Sequence, residues 1–231
     1  MVVKSIRELD QAIVKCNKCP RLASWRQEVA QVKRKSYQNE EYWGKPVPGF
    51  GDEKPELLIL GLAPGAHGAN RTGRIFTGDS SGDWLYRALY ENKVAKIPTS
   101  LSIDDGQKLN GVRISCAVRC VPPDNKPSTN ERDNCSDYLI KELNLLSPNL
   151  KSILALGSFA WSSAISSLKE NGFEIPKPAP KFSHGAQFRA TNGKKVLTIF
   201  GSYHPSQQNT FTGKLTEKML REIIAKALKA N

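Results

Sequence analysis

Four short apolar runs punctuate the chain, at residues 56–60, 112–118, 151–156 and 196–200. Each is too short for a helix of ordinary length and is rich in Val, Ile and Leu, which predicts a strand buried on both faces. Between the runs the apolar spacing changes to the helical period. Ile6, Leu9, Ile13 and Val14 predict a helix over 5–15, and Trp84, Leu85, Ala88 and Leu89 predict another that starts near Ser80. Phe159, Trp161, Ala164, Ile165 and Leu168 follow a Gly157-Ser158 turn. Leu215, Met219, Leu220, Ile223, Ile224, Ala227 and Leu228 give the last helix a broad apolar face. Ser80 with Asp83, and Ser128 with Glu131, fit capping boxes; the second opens a helix that contains Cys135 and runs to about Leu146. Residues 92–110 and 171–187 read as connectors. Strands alternating with helices predict an α/β fold, with a parallel sheet covered on both faces. The chain of 231 residues fits a single domain spanning 1–231, and it shows no internal repeat.

One segment cannot build core. Residues 61–83 read GLAPGAHGANRTGRIFTGDSSGD, with six glycines in 23 positions directly after the first predicted strand. Glycines there let the backbone approach a ligand closely, and open α/β sheets bind ligands at the carboxyl ends of their strands. A nucleotide-binding loop is the obvious competitor, but the chain has neither a Gly-Lys-Ser/Thr triplet nor Rossmann glycine spacing.

Charge narrows the partner. The net charge is +12, from 34 basic and 22 acidic residues, which favours a polyanion such as nucleic acid. Residues 26–52 mix Arg and Lys with Tyr37, Tyr42 and Trp43 and could stack on bases; the preferred reading is a solvated helix followed by a packing loop. Nothing approaches 18 uninterrupted apolar residues, and residues 1–15 lack a signal-peptide pattern, so a cytoplasmic protein without membrane contact is expected. Five cysteines are too few for a disulfide scaffold. Cys16 and Cys19 form a Cys-x-x-Cys pair, and with Cys120 and Cys135 they could supply a four-thiolate site. Spacing alone leaves zinc and an iron–sulfur cluster open. A redox dithiol is disfavoured because no strand precedes the pair.

The glycine-rich segment resembles the first motif of the uracil-DNA glycosylase superfamily, most closely its iron–sulfur family 5 branch. His204-Pro205-Ser206-Gln207-Gln208-Asn209, with Thr212-Gly213-Lys214-Leu215-Thr216 after it, resembles the second motif. The resemblance implies a three-layer α/β/α sandwich around a four-stranded parallel sheet. It also implies hydrolysis of the N-glycosidic bond of uracil flipped out of DNA. It assigns a [4Fe-4S] cluster to Cys16, Cys19, Cys120 and Cys135, and leaves Cys116 as a small buried or pocket-lining residue. His204 becomes the donor to the leaving base, and Phe76 the ring that stacks on it. Gly61 and Ala63 are placed at the base site. Most of the superfamily has Asp or Asn at the position of Ala63, to hold the attacking water; Asn70, then His67, are the replacements expected here. Many relatives end the second strand with an Asn that reads uracil's edge. Ser115-Cys116 in its place implies wider base tolerance, including hypoxanthine or xanthine. Ser206, Asn209 and their loop are expected in the minor groove, with Lys214 near phosphate. Ser158, at a helix start, offers backbone N–H groups to another phosphate. A monomer acting with the nucleoid is expected. The competing reading is a basic iron–sulfur protein that recognises damaged nucleic acid without catalysis, which the missing carboxylate at Ala63 favours.

Overall fold

The computed structural model describes residues 3–230. Residues 1, 2 and 231, which the expected domain includes, lie outside the described residues. Eight α-helices and six strands are described: α1 (Ile6–Val14), α2 (Pro20–Val32), β1 (Phe50–Gly51), β2 (Leu57–Gly61), α3 (Ala69–Thr72), α4 (Ser80–Glu91), β3 (Val112–Cys116), α5 (Thr129–Leu146), β4 (Ser152–Leu156), α6 (Ser158–Glu170), β5 (Gln187–Asn192), β6 (Lys195–Ser202), α7 (Gln207–Phe211) and α8 (Glu217–Leu228). The sheet order is β1-β3-β2-β4-β6-β5. The inner four strands are parallel, as expected, and β1 and β5 pair antiparallel at the two edges.

Alternation along the inner strands divides the core into two layers. Leu57, Ile59, Val112, Ile114, Leu154 and Phe200 face one side, where Leu85, Leu89, Leu220 and Ile224 of α4 and α8 cover them. Leu58, Leu60, Ile153, Ala155 and Ile199 face the other, under Leu139, Leu143, Trp161 and Leu168 of α5 and α6. Both faces of the parallel strands are therefore dry, which is why these strands read as unbroken apolar runs.

Four details differ from expectation. The edge strand β5 was not foreseen, because only Phe188 and Ala190 face inward and its other face is polar. β3 ends at Cys116, where its neighbour β2 also ends; the amides of Ala117 and Val118 turn instead to the carbonyls of Gly61 and Leu62, both at 3.0 Å. The two-residue edge strand β1 was not foreseen either; the basic stretch opens in a helix as expected, α2, with Pro20 in its first turn, a favoured place for proline. Asp79, not a Ser80–Asp83 capping box, starts α4, its carboxylate accepting from the Gly82 amide at 2.9 Å. The Ser128–Glu131 box is formed in full. No helix among the described residues is long and apolar enough to cross a membrane.

Candidate active site

Parallel strands put the loops after β2, β4 and β6 on one rim of the sheet. There the ring of Phe76 faces the imidazole of His204, with centroids 5.6 Å apart and planes 31° off parallel. Gly61, the last residue of β2, lies beneath them. A Cβ on Gly61 would come within 2.9 Å of the Phe76 ring and 3.1 Å of Cys116 Sγ, so glycine lets the plate and the thiol meet. Alternation along β3 puts Cys116 on this side and Ser115 on the other, where Ser115 Oγ donates to Glu142 at 2.7 Å. Of the expected pair, only the thiol lies on the Phe76 side of the strand. Burial pushes Cys116 up to about 12, so it is a neutral thiol and not a nucleophile.

Phe76 sits at φ 51°, a left-handed conformation that strains a bulky residue by about 1–3 kcal/mol. Its surroundings hold it there. The Phe76 carbonyl packs against Gly82 at the start of α4, where any side chain would collide with it. Arg74 also anchors the loop, bonding Thr77 and Ser100 and pairing with Asp105. Phe76 is also buried in the core layer over β2, so the strain is held by packing on a rim loop, where preorganised sites store it.

His204 is half-buried, and burial lowers its imidazole to about 4. It is therefore neutral at neutral pH and can donate a single N–H hydrogen bond. The turn that carries it is braced from within: Asn209 Nδ2 donates to the His204 carbonyl at 2.9 Å. Asn209 is thus engaged on the turn, while the Ser206 carbonyl accepts the Asn209 amide at 2.9 Å. Phe211, 81% exposed, projects from α7 just beyond, and Lys214 Nζ lies 4.7 Å over the Tyr203 ring. Gly157 and Ser158 open α6 beside His204; a Cβ on Gly157 would stand 3.7 Å from that of His204.

The first-motif loop carries the two residues expected to hold the water. Asn70 is buried, its Nδ2 donating to the Arg26 carbonyl at 3.2 Å, and its Oδ1 has no hydrogen-bond partner among the described residues. His67 Nδ1 lies 3.1 Å from the Tyr42 hydroxyl. Residues 42–44 brace this loop, since the amides of Trp43 and Gly44 donate to the carbonyls of Arg71 and Asn70. The packing-loop reading of that stretch holds here. Ala63 packs beside Leu22, Val118 and Phe159, between the rim and the cysteines. Sequence reasoning overlooked the carboxylate of Asp79. One oxygen caps α4; the other lies against Gly65 and Gly68, where a Cβ on Gly65 would stand 3.1 Å from it. Asp79 has no salt-bridge partner among the described residues, and burial raises its carboxyl above the usual range.

Cys16, Cys19, Cys120 and Cys135 line one recess, together with Leu22, Val118, Arg26 and Arg119. Protein donors reach the sulfurs: Arg26 Nη1 to Cys120 at 3.1 Å, and the Arg119 amide to Cys135 at 3.3 Å. Burial pushes Cys120 up to about 11 and Cys135 to about 12, so only a bound cation would keep both as thiolates. No three His, Cys, Asp or Glu side chains among the described residues are grouped closely enough to hold one metal ion. Four sulfurs around an apolar, donor-lined recess fit a cluster, which takes one cysteine per iron.

The cysteine recess adjoins a buried ionic network that the sequence reading missed. Glu142 accepts from Arg113 Nε at 2.7 Å and pairs with Arg119, and Arg113 also binds Asp10 at 2.6 Å. A charged residue three positions after Leu139 and one before Leu143, on the core-facing stripe of α5, was the available signal.

The family model of the Uracil DNA glycosylase superfamily matches residues 48–228. The Type-5 uracil-DNA glycosylase of Mycobacterium tuberculosis is 50% identical over 225 residues, 97% of this chain and 81% of that protein. The protein of the same name from Thermus thermophilus is 45% identical, covering 94% of each chain, and that from Pyrobaculum aerophilum is 40% identical, covering 93% of this chain and 88% of the relative. The matched span contains both rim loops and two of the four recess cysteines, and the relatives extend the likeness over the N-terminal pair as well; the chain belongs to the uracil-DNA glycosylase superfamily, in its type-5 branch.

Proposed function

We infer that the chain is a DNA repair glycosylase that removes uracil, hydrolysing the C1′–N1 bond of a flipped-out nucleotide and leaving an abasic site. The observation that carries this reading is the Phe76 plate facing a neutral His204 donor at one rim of the sheet. Breaking the bond builds positive charge on the sugar and negative charge on the leaving base. A preorganised N–H aimed at that charge is worth about 3 kcal/mol. The aromatic plate repays part of the few kcal/mol that extrusion costs. The thiol of Cys116 cannot discriminate a base edge as an amide would, so hypoxanthine and xanthine should also be accepted. Phe211, with Ser206 and its loop, enters the minor groove, and Lys214 and the start of α6 meet phosphates. The protein acts as a monomer in the cytoplasm. A [4Fe-4S] cluster on Cys16, Cys19, Cys120 and Cys135 ties the N-terminal segment to the loop after β3, and its role is structural.

Water is best held by Asp79. Asn70 Nδ2 and His67 Nδ1 already have partners and the unpartnered Asn70 Oδ1 cannot take a proton, whereas Asp79 keeps one oxygen free of any ion pair, against the loop that carries Ala63. Asparagine caps helices as well as aspartate, so Asp79→Asn should leave stability nearly unchanged. Single-turnover excision should nevertheless fall on the order of 10²-fold, the range of a lost general base. An unchanged rate would return the water to Asn70.

Incubating the protein with duplexes containing uracil or inosine, then with hot alkali, tests the function. Breaks at uracil are expected, and slower breaks at inosine. Binding without breaks would establish instead a non-catalytic recognition protein.

A further inference from the structure

We propose that Arg26 and Arg119 are a built-in counter-charge for the group held by the four cysteines, with Arg26 supplying the charge that has no other partner. The inference rests on the cluster reading above. Both guanidiniums line the cysteine recess, and both are buried, at 4% and 1% exposure. Arg119 gives Nη2 to Glu142, but its Nε and Nη1 have no partner among the described residues. That ionic network balances: Asp10 and Glu142 offset Arg113 and Arg119. Arg26 lies outside it. Its Nη1 donates to Cys120 Sγ, its Nη2 to the neutral Asn17 amide, and its Nε to nothing among the described residues. The one carboxylate lining the recess, Glu131, is taken by Arg21 at 2.6 Å and by the Ser128 amide at 2.7 Å. A buried cation without a counter-ion is unfavourable unless something anionic arrives. Four thiolates around a doubly positive cluster core carry two net negative charges, and Arg26 offsets one of them. Net charge and hydrogen bonds to the sulfurs are also what set a cluster's reduction potential.

The test compares wild type, Arg26→Met and Arg26→Lys, each as purified under anaerobic conditions and after iron removal by chelation. Iron content and broad visible absorbance of the wild type come first; zinc in a colourless protein would overturn the cluster reading itself. With the cluster bound, Arg26→Met should melt below wild type and lose its colour faster to chelator. Stripped of iron, the order should invert, because the variant no longer buries an unpaired charge. The reduction potential gives a second readout on loaded protein alone. Arg26→Met should shift the one-electron equilibrium toward the oxidised form at least tenfold, about 59 mV, and Arg26→Lys should remain close to wild type. Equal destabilisation of loaded and stripped protein, or an unmoved potential, would make Arg26 a packing residue and overturn the proposal.

Discussion

Replacing His204 with alanine is expected to slow single-turnover excision of uracil by about 10²–10³-fold, the loss that follows removal of one preorganised donor to a developing anion. Affinity for uracil-containing duplex should change far less, because phosphate contacts dominate binding and His204 makes none in this reading. The proton inventory sharpens the expectation. Burial holds His204 near 4, so the rate of the wild type should show no inflection at the ordinary imidazole value of about 6.5. The same depression has a stability consequence, with its sign fixed by linkage. The folded chain resists protonating His204, so stability is unaffected above about pH 6.5 and falls as the pH drops toward 4, by on the order of 3 kcal/mol. His204→Ala should flatten that part of the stability–pH curve. Denaturation midpoints at pH 7 and pH 4.5 measure it.

Glu142→Gln should be the most damaging single change to stability, at about 3–5 kcal/mol. The carboxylate is fully buried and serves Arg113, Arg119 and Ser115 at once. Burial alone would raise its carboxyl, but the two guanidiniums prevail and bring it down to about 2. Its contribution is thus complete above the unfolded value of about 4.3 and is lost only as the pH falls through about 2. Glutamine keeps the shape but leaves two buried guanidiniums against one remaining carboxylate, Asp10. Urea titration of the variant checks the magnitude; a loss below about 1 kcal/mol would mean that water compensates the arginines. The network joins α1, β3 and α5 and adjoins the cysteine recess through Arg119, so the variant should also lose iron more readily.

Much of this architecture could be read from residues. Central strands such as Leu57–Gly61 are buried on both faces and announce themselves as apolar runs, and both rim loops carry distinctive side chains. What escaped was set by long-range contact. β5 shows only two inward side chains, and a two-residue edge pairing such as β1 has no periodicity at all. The start of α4 was read one residue late, at Ser80, so Asp79 went unnoticed; the placement of its second oxygen against Gly65 and Gly68 depends on how the loop folds back. Ser115 and Cys116 were read as one feature, yet the pleat of β3 sends them to opposite faces. Arg26 lies in a basic stretch that resembled solvated surface, but its guanidinium is buried against Cys120.

The most direct measurement is a crystal structure with a duplex carrying a 2′-fluorinated deoxyuridine, whose glycosidic bond resists cleavage. The expected density shows the uracil out of the helix, stacked on Phe76, with its O2 about 2.7–3.2 Å from a His204 ring nitrogen. A uracil still paired in the duplex, or seated away from these two rings, would contradict the assignment of this rim as the place where the base is held and released.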